Sequence, residues 1–137
     1  MRIERKVALA SLLLSVMLAS AVAGAEGGTR PQGAEGRWKV TLTPNEKNAL
    51  PGTNQAYEDE LAFVRGTFTS QVNQKQGFAA ATGVAGEKGS VTVEQKSDQH
   101  GVARWELSVQ GDTIAGRLTW TKSSKKALFE VRGTRIP

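Results

Sequence analysis

The sequence predicts an all-β fold, a small antiparallel up-and-down barrel of about seven or eight strands, and three observations predict it. The stretch Gly101 to Lys122 contains two runs of alternating apolar and polar residues joined by Gly111-Asp112. Shorter runs with the same period of two recur along the chain, separated by glycine, proline and other turn residues. No segment carries the 3.6-residue apolar spacing of a substantial helix. A flat sheet of such strands would leave its apolar face wet and two edges unpaired. A barrel buries the face and removes or shortens the edges, and short connections favour up-and-down order.

The hairpin sets the pattern. Ala103, Trp105, Leu107 and Val109 share one face, and Arg104, Glu106, Ser108 and Gln110 the other. The alternation resumes with Ile114, Gly116, Leu118 and Trp120 on the apolar side. With Gly111-Asp112 as a two-residue turn, Gln110 pairs with Thr113, Trp105 faces Leu118 and Trp120 faces Ala103. The two tryptophans are then diagonal neighbours inside one core, and a ring contact between them is expected.

In chain order, residues 1–25 read as a secretory signal peptide. Arg2, Arg5 and Lys6 precede the apolar run Val7 to Leu18, and small residues end in A-x-A-like sites at Ala23 and Ala25. The apolar core is shorter than the roughly 20 residues of a membrane span, so no span is expected after cleavage. Periplasmic or secreted location follows. Residues 26–35 are rich in glycine and lack aromatics, as a flexible leader would be, and a single domain is expected over 36–137.

Within that domain Trp38, Val40 and Leu42 alternate up to Pro44, where the missing N–H stops the ladder. Residues 45–56 are a polar connection, with a short helix over Glu46 to Leu50 as one option. Tyr57, Leu61 and Phe63 share a parity with Asp59, and Phe68 and Val72 continue it beyond a turn at Arg65-Gly66. The stretch Gln74 to Gly89 is irregular, and the Phe78 region offers an eighth strand. Val91, Val93 and Gln95 alternate before the turn Asp98 to Gly101, and Phe129 and Val131 mark the last strand.

Composition excludes several chemistries. The chain has no cysteine and one histidine, His100, so disulfides, thiolate-metal sites, a histidine triad and a multi-histidine metal site are ruled out. No cofactor and no enzyme activity is expected. Of the 18 basic residues, Arg2, Arg5 and Lys6 fall in the expected signal peptide, so the high charge does not by itself imply nucleic acid. Arg37, Lys39, Arg104 and Arg117 share the polar parity with Glu58, Glu60, Glu94 and Glu106, as a mixed salt-bridged surface would. No aromatics interleave with them to stack bases.

Gly36-Arg37-Trp38 heads the first strand. Behind it come D-E-L-x-F, G-x-F-x-S, G-x-x-x-W, G-D-x-I-x-G-x-L-x-W-T-K and F-x-V-x-G, over Gly36 to about Gly133. This pattern resembles small lipocalin-like, calycin-type exported bacterial proteins of unassigned function. The resemblance implies a lipocalin-like barrel, an extracytoplasmic place and a basic residue over the G-x-W tryptophan. Counting by two from Phe129 brings Arg135 onto the buried parity beside Trp38, with Arg132 as the substitute for closing that barrel end.

Trp38, Phe63, Phe68, Trp105, Trp120 and Phe129 are the residues that would line a ligand cavity. Six aromatics of about 150–250 Å² each in so narrow a barrel argue instead for a filled interior. Two functional classes stay open: a monomeric carrier of a small apolar ligand, and an interaction or inhibitor module whose loops, Asn45 to Ala56 and Gln74 to Gly89, engage an extracytoplasmic protein.

Overall fold

A computed structural model describes residues 32–137. The expected signal peptide, residues 1–25, and most of the expected leader lie outside the described residues. A 3-10 turn over Gln32–Ala34 leads into nine strands. They are β1 (Gly36–Pro44), β2 (Tyr57–Val64), β3 (Thr67–Ser70), β4 (Ala81–Thr82), β5 (Val84–Ala85), β6 (Ser90–Ser97), β7 (Gly101–Gln110), β8 (Thr113–Lys122) and β9 (Lys125–Arg135). One five-residue helix, α1 (Gln71–Lys75), follows β3. Among the described residues no helix is long and apolar enough to cross a membrane.

The strands form one antiparallel sheet in the order β4-β3-β2-β1-β9-β8-β7-β6-β5. First and last strands pair, with Trp38 opposite Arg135. The two ends of the sheet, β4 and β5, are neighbours in the chain, separated by Gly83 alone. The sheet is therefore nearly closed into a barrel. Seven strands with an eighth near Phe78 were expected; the count is nine because Gly83 divides that region. Its N–H donates to the Gly66 carbonyl (2.8 Å), and the residues before it pair with β3 while those after it pair with β6.

The alternating faces lie as the apolar residues dictate. In β7 the buried residues are Ala103, Trp105, Leu107 and Val109, and Trp105 pairs with Leu118 and Trp120 with Ala103. The aromatic contacts differ from the expected diagonal pair. Trp105 packs on Phe68 (5.2 Å between centroids), which in turn packs on Phe63 (5.0 Å). Phe68 reaches Trp105 from across the short closing strands, so the ring cluster spans the seam inside the barrel. On the outside, Arg37–Glu60 (2.9 Å), Arg104–Glu94 (3.7 Å) and Arg117–Glu106 (3.7 Å) form the mixed charged surface.

Three local expectations change. Residues 32–35, placed in the leader by composition, pack onto the barrel, with Ala34 buried. No helix forms over Glu46 to Leu50. The strand expected to run to Val72 stops at Ser70, whose hydroxyl accepts from the Asn73 amide (3.1 Å) and caps α1. A serine cap satisfies an otherwise unpaired helix donor, so helix replaces strand there.

Closure also requires close approach of backbones. A Cβ on Gly133 would collide with the Lys39 carbonyl and with Val40. Gly133→Ala is expected to lower stability by about 1–3 kcal/mol, read as a shifted urea midpoint. An unchanged midpoint would show that β1 and β9 do not approach this closely.

Candidate functional site

The two barrel ends are built differently. At one end the Arg135 guanidinium lies 4.2 Å from the centroid of the Trp38 ring, well inside the about 6 Å reach of a cation–π contact. Trp38 Nε1 donates to the Ala34 carbonyl (2.8 Å). Arg135 donates to the carbonyls of Glu35 and Gly33 and to Asp112 Oδ1 (3.2 Å). The Glu35 carboxylate in turn accepts from the amides of Arg65 (2.6 Å) and Gly66 (3.0 Å), pinning the β2–β3 turn. One arginine thus ties the amino-terminal segment, β9 and the β7–β8 turn over the tryptophan and plugs this end. Arg132 is not the substitute: its side chain lies on the outer face, paired with Glu130 (2.6 Å).

The opposite end holds a recess of about 280 Å³. Tyr57, Phe78, Trp120 and Phe129 supply its aromatic wall, with Leu118 and Ala103 beneath and Val72, Asn73 and Gln76 at the side. Trp120 is half-buried, and its indole N–H donates to the His100 carbonyl in the β6–β7 turn. Tyr57 and Phe129 meet edge to face, 5.6 Å apart. The connection 45–56 folds over this end rather than standing clear of it. Asn48 donates to the carbonyls of Leu128 and Thr53 (both 3.0 Å) and accepts from the Leu128 amide (2.8 Å).

The six aromatic candidates therefore divide. Trp38, Phe63, Phe68 and Trp105 are at most 1% exposed and fill the core. Trp120 and Phe129 line the recess. Tyr57 and Phe78 also line it, though neither stood among the candidates. Tyr57 carried a signal, since it shares the parity of Leu61 and Phe63 at the mouth end of its strand. Phe78 had none, because it sits in the irregular segment.

A polar network under the recess fixes α1. The Asp59 carboxylate accepts from the Ser70 hydroxyl and from the Val72 amide (3.1 Å). Gln95, itself buried, accepts from Asn73 Nδ2 and from Trp105 Nε1 (both 3.0 Å) and donates to the Ala79 carbonyl (3.1 Å). Burial pushes the Tyr57 hydroxyl far above its ordinary value, helped by the Asp59 charge, so Tyr57 enters the recess as a neutral donor. Burial also pushes Asp59 up from its ordinary 3.8, outweighing the donors that favour its charged form. Comparison with protein-family models, with curated proteins and with solved structures finds no match in any of the three.

Two outcomes follow from this geometry. Arg135→Met is expected to cost about 1–3 kcal/mol in urea unfolding, the worth of a cation–π contact plus charged hydrogen bonds. Arg135→Lys should not restore it, since an ammonium cannot fork to several acceptors; full rescue by lysine would refute the plug. For Asp59, a raised folded-state value means that the folded chain holds the proton more tightly than the unfolded one. The stability conferred by the protonated carboxyl is complete below pH 3.8 and is lost as pH rises through the raised value. Asp59→Asn should flatten stability across that window, and parallel curves for the two proteins would contradict it.

Proposed function

We propose that the protein is an exported, non-enzymatic and monomeric barrel of lipocalin-like type that binds one small apolar ligand at its mouth. The recess walled by Trp120, Phe78, Tyr57 and Phe129, at the end opposite the Arg135 plug, carries this reading. Ligand sites are concave, mostly apolar and furnished with a few polar groups that set orientation. Gln76 suits that task, whereas the Asn73 amide and the Thr53 hydroxyl already donate to Gln95 and to the Leu50 carbonyl. At about 280 Å³ the recess sits just below the roughly 300–1,000 Å³ of drug-sized pockets, so the ligand is small and held near the surface. The deep interior is no part of the site, because core side chains fill it.

That filled interior favours a second reading, an interaction or inhibitor module acting on an extracytoplasmic protein through the 45–56 and 74–89 loops. Titration separates the two. Tryptophan fluorescence with fatty acids, retinoids and haem is expected to change in the wild type. Trp120→Ala should lose the response while keeping its far-UV spectrum. Silence from a well-folded wild type would favour the interaction module. For export, amino-terminal sequencing of extracytoplasmic material should begin at Gly24 or Glu26, and retention of Met1 would rule it out.

A further inference from the structure

Charge is distributed unevenly between the two ends of the barrel. The loops, turns and strand ends around the mouth carry Lys47, Lys75, Lys96, Lys122, Lys125 and Lys126 against Glu46, Glu58 and Asp98. At the plugged end, Arg37, Arg65, Lys88 and Arg135 stand against Glu35, Glu87 and Asp112. Among the described residues every ion pair is made by an arginine, and none of the mouth lysines takes part.

The β8–β9 hairpin concentrates this charge beside the aromatic wall. Trp120 pairs with Ala127, Thr121 with Lys126 and Lys122 with Lys125. Like charges directly opposite each other destabilise a strand pair, so the Lys122–Lys125 pairing opposes folding, and among the described residues no carboxylate pairs with either lysine to offset it. The β6–β7 turn lies against the same hairpin, since a Cβ on Gly101 would strike the Thr121 carbonyl and approach Lys122 Cα. Lys75 has a separate reason for its place, because a cation favours the carboxyl end of a helix. Lys122, Lys125 and Lys126 have none.

We infer that the mouth selects an anionic amphiphile, its apolar body in the recess against Trp120 and its head group between Lys122 and Lys125, the two lysines on the inward parity of the hairpin. This rests on the reading of the recess as a ligand site. It adds that the ligand carries a negative head group. Each exposed ion pair shifts an equilibrium by up to about fivefold, so two contacts give roughly tenfold preference over a neutral ligand of the same body. The preference weakens with salt, since exposed charges are screened over about 8–10 Å at physiological ionic strength.

Calorimetric titration of the mature protein with decanoate, decanol and decyltrimethylammonium, each below its micelle concentration, tests the inference. Decanoate is expected to bind about tenfold more tightly than decanol, and decyltrimethylammonium most weakly. The double variant Lys122→Gln, Lys125→Gln should bring decanoate down to the level of decanol and leave decanol unchanged, whereas Lys126→Gln on the outer face should alter neither. Equal binding of decanoate and decanol overturns the head-group selection while sparing the recess. A double variant that still prefers decanoate overturns the assignment to Lys122 and Lys125. Failure of all three ligands overturns both the inference and the recess reading, as does binding to anionic vesicles with no binding of monomeric decanoate.

Discussion

Closing the barrel is the constraint on which the rest of the structure depends. Two strands of two residues each bridge β3 and β6, a ladder too short to hold a sheet edge by itself. Side chains complete the seam. Gln95 on β6 reaches the Ala79 carbonyl ahead of β4, the Asn73 amide on α1 and the Trp105 indole on β7. The Ala79 amide also donates to the Lys96 carbonyl (3.3 Å). A buried polar group is costly unless its partners are satisfied, and here its partners come from the elements that must meet. The network therefore holds α1, and with it one side of the mouth recess, in a fixed place.

The aromatic residues serve two purposes according to their height in the barrel. Those at the middle and at the plugged end are sealed from solvent and supply cohesion. At the mouth end Tyr57 and Trp120 keep part of their surface open, because the strands there run out into turns and the 45–56 connection covers the opening only in part. Trp120 and Trp105 show the contrast: both lie on the inward face of the same hairpin, but Trp120 is near the end of its strand.

Parity and turn chemistry made much of this legible. Gly111-Asp112 fixes the β7–β8 register, and from that every pairing in the hairpin follows. Counting along the unbroken β9 strand put Arg135 over Trp38. Asp59 stood on a buried parity, and it is buried. What escaped was set by contacts between distant segments. Helix α1 is five residues long, too short to show a period, and its start is fixed by Asp59 eleven positions earlier in the chain. The division of the closing strand depends on a hydrogen bond from Gly83 to Gly66. The recess needs the path of the 45–56 connection, which local pattern does not encode.

Both ends of the described chain lie at the plugged pole. The carbonyls of Gly33 and Glu35 bind Arg135, and the Ile136 amide donates to the Arg37 carbonyl (2.8 Å). The polypeptide thus arrives and leaves beside Trp38, a full barrel height from the recess. A tether, fusion partner or solid support joined next to Gly33 or Ile136 holds the molecule by its base and turns the lysine-edged opening outward. Because these two ends of the described segment are adjacent, that segment also suits circular permutation, with the new ends cut into an exposed turn and Gly33 and Ile136 joined by a short linker.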